Sequence, residues 1–416
     1  MKRITVFSRP LAILSVLISF LQLTGLSSTF GAAPLTPVPS AVIKAALQPF
    51  IDQKALGGAV ALVATPDKVL AFDTVGYCQL SNHAPMRLDN YFWLASMTKT
   101  FTGVAIMMLV DEGKLTLDDP VEKFIPEFKG QMVMGGTNGE TPPHPPSHPM
   151  TIREIMSHTS GIADCKSLKI TASSLKEDAD QYAKLPLLFE PGSKFMYNNA
   201  GIDTAGRIIE ILSGMSYADF LKSRILDPLG MTDTTFWPSE AQAQRFAKVT
   251  KRNKEKTEIA DRVVTDPLQP GVPDDMVHQM GWGQVKVYRN HYAMAAGGLY
   301  TSTADLLPFC RMLLGGGMYQ GKRYLSEKAF KEFSSPQNGK AVKSATEAYG
   351  VGCYVEIKSG PGLPSVGAFG HRGALGTVFW MDPARKLIFI LMLQGEQNDA
   401  IYTALIKAGC QIAGVE

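Results

Sequence analysis

Between Phe101 and Val110 nearly every position is apolar, and polar residues return only at Asp111 and Glu112, ahead of Gly113. Such a run, closed by glycine, predicts a buried helix of about four turns with Gly113 as its C-terminal cap. Further helical patterns span Val42 to Gln53, Ala200 to Leu212 and roughly Asp399 to Ile412. The segment GGAVALVATPDKVLAFDTVGY reads as two strands around a Pro-Asp turn. Near the other end GTVFWMDPARKLIFILMLQG has the same form, with an Asp-Pro turn. These patterns predict an α/β (α+β) chain: one antiparallel sheet built from both chain ends, flanked by helices, with a mostly helical region inserted between. The expected sheet part is residues 38–130 and 293–416, and the helical part 131–292, together one domain. The Gly/Pro-rich stretch from Gly135 to Met150 marks the seam and suits neither helix nor central strand. No internal repeat is visible.

The first residues are basic (Lys2, Arg3, Arg9), then apolar from Leu11 to about Leu23, then small. That order predicts a secretory signal peptide over residues 1–31 and a periplasmic or secreted product. Contact with the membrane would then be transient, since the apolar core is short for a retained spanning helix. The 416 residues are 45% hydrophobic and 19% charged, which is globular composition with room for a large core. Removing the leader takes away three positive charges and no acidic one, so the formal +3 falls to zero. A neutral chain has no electrostatic case for nucleic acid. The run Lys248 to Glu258 mixes bases with acids and is expected to be a solvated loop. The cysteines Cys78, Cys165, Cys310, Cys353 and Cys410 are odd in number and widely spaced, which argues against a disulfide scaffold and a cysteine zinc site. Oligomeric state and disulfide pairing are not legible.

Ser96 and Lys99 stand three apart at the mouth of the long apolar run, in WLASMTKTF. Positions i and i+3 share a helix face, so hydroxyl and amine are expected to touch where the helix enters the core. A lysine in a dry setting loses part of its preference for the proton. A serine beside a neutral amine is an activated nucleophile. The same S-x-x-K pattern recurs at Ser173 and Lys176 in TASSLKEDADQ, where charged neighbours predict a solvated, protonated lysine. Tyr197 and Asn199 follow a Pro-Gly turn and open an apolar helical pattern, which makes Tyr197 a candidate proton shuttle. Tyr288 and Asn290 repeat that spacing among basic residues, where surface placement is expected. Farther on, His371 and Gly373 lie on a strand entering the sheet, on one face, with Arg372 on the other. Gly373 is expected to let a substrate backbone approach, and the following amide of Ala374 is a candidate oxyanion donor. His158, before a Ser-Gly turn, reads as a structural hydrogen-bonding residue. His144 and His148 belong to the proline-rich loop rather than to a metal site, and Met107-Met108 reads as core packing.

Taken in order, Ser96-x-x-Lys99, Tyr197-x-Asn199 and His371-x-Gly373 resemble the three motifs of the serine β-lactamase and penicillin-binding protein superfamily. The class C-like branch, with its DD-peptidases, D-aminopeptidases and family VIII carboxylesterases, is the nearest in pattern. TIREIMSHTSGI, ILDPLGMTDTTF and AAGGLYTSTADLLPF also follow that group's habits. The resemblance implies a β-lactamase/transpeptidase-like fold and a serine hydrolase that works by acyl transfer without metal or organic cofactor. It implies Ser96 as nucleophile, Lys99 as proton acceptor, Tyr197 as relay to the leaving group and Asn199 as orienting residue. The amides of Ser96 and Ala374 would hold the oxyanion; whether Lys99 or Tyr197 is the acylation base stays open. The substrate would be a small molecule or peptide: an ester or D-amino-acid amide, with a β-lactam or a non-turnover acyl-sensing role as alternatives. The third motif departs from Lys-Thr-Gly. Histidine at position 371 is expected to make the positive charge there conditional on pH.

Overall fold

The computed structural model describes Met1 and residues 35–135, 142–163, 172–262, 292–341 and 344–415. The expected signal peptide, Cys165, and Tyr288 with Asn290 lie outside the described residues.

Helix α1 (Ala41–Asp52) starts where the Ser40 hydroxyl accepts the Ile43 amide at 3.2 Å, and it leads into β1 (Gly58–Ala64) and β2 (Val69–Gln79). The short strands β3 (Ala84–Pro85) and β4 (Tyr91–Trp93) precede α2 (Thr98–Asp111), and Gly113, at φ +68°, stands just past the helix end. Helices α3 (Ile152–Met156), α4 (Leu175–Tyr182), α5 (Ala200–Ser213) and α6 (Tyr217–Leu221) occupy the middle of the chain. Strands β5 (Thr250–Arg252) and β6 (Ile259–Asp261) pair with each other, so the lysine-rich run is a short hairpin rather than a loop. Asn253 organises its turn, with Oδ1 accepting the amides of Thr257 and Glu258.

Strand β7 (Tyr300–Ser302) opens the second half of the chain and runs into α7 (Thr303–Leu314), a small hairpin β8 (Met318–Tyr319) and β9 (Lys322–Arg323), and α8 (Glu327–Phe333). The remaining strands β10 (Glu347–Tyr349), β11 (Tyr354–Glu356), β12 (Phe369–Arg372), β13 (Val378–Asp382) and β14 (Leu387–Met392) precede α9 (Asp399–Ala413).

The main sheet is antiparallel and eight-stranded, in the order β10-β11-β12-β13-β14-β1-β2-β3. Its centre is the pairing of the two chain ends, with Ala61 opposite Leu391. Alternation explains the unbroken apolar strands. Val60, Leu62, Phe379 and Ile390 face one core, shared with Phe101 of α2 and Phe309 of α7. Ala61, Val63, Trp380 and Phe389 face the other, shared with Leu47 of α1 and Leu405 of α9. Each fully buried leucine or isoleucine there contributes roughly 1.5–3 kcal/mol. Met107 and Met108 are core residues, as expected.

Candidate active site

Ser96 sits in a single 3-10 turn, Ala95–Met97, that runs straight into α2. Ala95, just before it, has φ +47°, a backbone state that L-residues with a Cβ rarely take and that persists only where the surroundings impose it. Those surroundings are visible. β4 pairs with β7 through Trp93 and Tyr300, and Leu94 N–H donates to Leu299 O at 2.9 Å. From the other side Gly373 presses on the turn: a Cβ there would stand 2.5 Å from Leu94 O and closer still to Thr377 Oγ1. Glycine at 373 therefore leaves room for the nucleophile turn.

Lys99, on the first turn of α2, has no exposed surface. Its Nζ lies 3.1 Å from Ser96 Oγ, 2.8 Å from Asn199 Oδ1 and 2.8 Å from Ala296 O. The Ser96 hydroxyl and a buried amine are thus within hydrogen-bond reach, as transfer of a proton between them requires.

The neighbouring asparagines divide the work of holding this arrangement. Asn199 occupies the N-cap position of α5 yet makes no side-chain cap bond, because its oxygen is on Lys99. Asn198 caps instead, its Oδ1 accepting the Gly201 amide at 3.0 Å. Ala296 is held by its own N–H, which donates to Asp203 Oδ1 at 2.9 Å. Sequence reading passed over Ala296 because a main-chain carbonyl carries no residue-type signal; the Ala-Ala-Gly-Gly stretch was the available hint.

Tyr197 lies with its ring 4.8 Å from Lys99 Nζ and forms part of the cavity wall beside Ser96. His158 backs it, with ring centroids 4.3 Å apart. Burial, and after it the neighbourhood of Lys99 and His371, holds His158 well below the ordinary histidine range. Its Nδ1 accepts the Asn198 amide at 3.4 Å, a supporting role of the kind expected.

His371 does not line the cavity. It is fully buried, with Nε2 2.9 Å from the Tyr349 hydroxyl and Nδ1 against the main chain of Arg372. Alternation does separate it from Arg372, as expected, but the side chain that reaches the cavity is Arg372. The face that Arg372 shares with Tyr354 of the neighbouring β11 is the one that lines the cavity.

That cavity has a volume of about 580 Å³ and is walled near the nucleophile by Tyr197, Asn199, Gly297 and Ala374. Ser96 is the second residue of its turn, where amides have no intrahelical acceptor. Ser96 and Ala374 both line the cavity.

The second S-x-x-K is built differently. Ser173 gives its hydroxyl to Glu177 at 2.8 Å, and Lys176 pairs with Asp180 at 2.6 Å, both exposed. His144 and His148 face separate carboxylates, Glu190 and Glu154. Among the described residues Cys78, Cys310, Cys353 and Cys410 are free thiols.

The family model described as Beta-lactamase matches residues 43–408. An uncharacterized protein of Mycobacterium tuberculosis is 31% identical over 391 residues, covering 88% of this chain and 92% of that protein. A lovastatin esterase of Penicillium rubens is 29% identical over 343 residues, covering 74% of this chain and 81% of the esterase. Among solved structures, EstCE1, a hydrolase with promiscuous acyltransferase activity, superposes with a TM-score of 0.70 at 20% identity, covering 88% of this chain and 97% of that one. The family model covers most of the chain, and the chain belongs to the beta-lactamase family.

Proposed function

We propose that this member of the family is a serine hydrolase that works through an acyl-enzyme, with esters as its first substrate class and D-amino-acid amides as its second. The observation that carries the reading is the buried Lys99 amine, 3.1 Å from Ser96 Oγ and held in place by the carbonyls of Asn199 and Ala296. Ser96 Oγ attacks the substrate carbonyl while its proton passes to Lys99. The tetrahedral oxyanion rests on the amides of Ser96 and Ala374. Collapse breaks the bond to the leaving group, which takes a proton relayed through Tyr197. Water then attacks the Ser96 ester by the reverse relay and frees the acid. We place the reaction in the periplasm or outside the cell, on the basic-then-apolar pattern of residues 1–31.

The esterase relative supports esters over β-lactams. So does the third motif, since the buried His371 offers no fixed charge to a lactam carboxylate. The test is turnover of p-nitrophenyl butyrate by purified protein. Many turnovers per Ser96, lost in Ser96→Ala, are expected. A single stoichiometric burst would instead mark an acyl-sensing protein, and faster hydrolysis of a chromogenic cephalosporin than of any ester would mark a true β-lactamase.

A further inference from the structure

His158 stands just past α3 with φ +61°, in the left-handed region, and no part of it is exposed. A residue with a Cβ keeps that backbone state only where the surroundings impose it. Here the surroundings include the segment that carries Tyr197. The His158 carbonyl accepts the Met196 N–H at 2.8 Å, and its ring Nδ1 accepts the Asn198 N–H at 3.4 Å. Between those two bonds the imidazole lies against the Tyr197 ring, with centroids 4.3 Å apart. One residue thus holds the main chain on both sides of Tyr197 and packs on its ring. Behind the imidazole, Tyr349 and Phe195 close edge-on at 4.5 and 5.8 Å, so it has little room to swing away. The next residue extends the clamp, since Thr159 O accepts the Gly192 N–H of the Pro-Gly turn at 2.8 Å.

The same contacts set the protonation state. An Nδ1 that accepts an amide carries the lone pair, so the proton of the neutral ring sits on Nε2. Nε2 is buried and has no hydrogen-bond partner among the described residues. A second ring proton would face the Asn198 N–H, and burial, followed by the nearness of Lys99, keeps it off. What the imidazole offers is therefore a ring face and one acceptor, not a proton.

We propose, resting on the serine-hydrolase reading, that His158 is the positioning residue of the relay: its clamp on Met196 and Asn198 and its contact with the tyrosine ring hold the Tyr197 hydroxyl where the leaving group can take its proton. His158 then matters to the rate only while Tyr197 has a hydroxyl to place, and matters most for a leaving group that needs a proton.

The test is a double-mutant cycle read on two esters. Ethyl butyrate releases an alkoxide that must be protonated, whereas p-nitrophenyl butyrate releases a stable phenolate. His158→Ala should lower kcat/KM for the ethyl ester about 10–10²-fold, and for the p-nitrophenyl ester by clearly less. In a Tyr197→Phe background the same change should stay within about twofold on either ester. His158→Asn supplies an acceptor near the place of Nδ1 and suits the left-handed backbone, so it should recover part of the loss. Should His158→Ala fail to fold, His158→Asn, which still lacks the ring face, carries the same cycle. Equal losses on both esters, equal losses with and without the Tyr197 hydroxyl, or no loss at all would make His158 core packing and overturn the proposal. No turnover of either ester by the unmodified protein overturns the hydrolase reading instead, and fluorine NMR with 3-fluorotyrosine in place of Tyr197 then decides the clamp. One sharp resonance that broadens or splits in His158→Ala supports it, and an unchanged line sinks it.

Discussion

The chain carries S-x-x-K twice, and the two copies differ in almost everything but spelling. At Ser96 the pair opens a helix whose first turns are wholly buried, so the amine is stripped of water and held by two main-chain or amide carbonyls. At Ser173 the pair straddles the N-cap of a helix and lies on its exposed side, where carboxylates four residues on take up each group separately. Spacing brings two side chains to one helix face in both places. What differs is the supply of partners: carbonyl oxygens and the serine hydroxyl at Lys99, a carboxylate at Lys176.

The comparison breaks first at the serines. Ser96→Ala should lower ester turnover at least ~10³-fold and abolish labelling by a fluorophosphonate, while Ser173→Ala behaves as wild type. Active Ser96→Ala with dead Ser173→Ala would reverse the assignment. Next comes Tyr197→Phe, which keeps the ring against His158 and deletes the relay. A fall in kcat of ~10²–10⁴-fold with little change in KM is expected. A rise in KM alone would make Tyr197 a binding residue.

The adjacent asparagines sharpen the same contrast, because one serves chemistry and the other the helix. Asn199→Ala removes an acceptor from Lys99 and should cost up to ~10²-fold in kcat through misplacement of the amine, with the melting temperature nearly unchanged. Asn198→Ala removes the cap of α5 and should cost about 1 kcal/mol of stability with a much smaller loss of kcat. Matching losses from both would dissolve the division of labour.

Most of the sheet was legible because it is covered on both faces and its strands are therefore continuous apolar runs between turn residues. The motifs were legible where a residue type is itself the chemistry, as with Ser96, Lys99 and Tyr197. Two things were hidden. The Ala296 carbonyl is main chain. Which face of β12 meets the cavity is set by tertiary packing, so Arg372, on the face assigned away from the site, is a wall residue while His371 is sealed behind Tyr349. Gly373 is the related case: the close pass of Leu94 is a tertiary reason for glycine that local pattern does not carry. Gly373→Ala should accordingly destabilise by about 1–3 kcal/mol, read as a lowered melting temperature, because the added methyl overpacks the nucleophile turn. A variant as stable as wild type with a raised KM would return glycine to the substrate role.

The smallest effect belongs to the second lysine. Lys176 and Asp180 lie one turn apart on α4, and the lysine side chain is 57% exposed. A pair of that kind is screened by water and salt, and holding two long side chains in one geometry costs entropy, so its contribution is only about 0.3–0.5 kcal/mol. Lys176→Met removes the charge and keeps most of the stem. The expected result is a shift in melting temperature near the limit of measurement, smaller still in high salt, and no change in kcat or KM. Lys99→Met, the same substitution at the other copy, should remove turnover while the fold stays intact, since a methionine suits the buried wall. If Lys176→Met lowered kcat, burial and carbonyl partners would not be what separates a working S-x-x-K from an idle one.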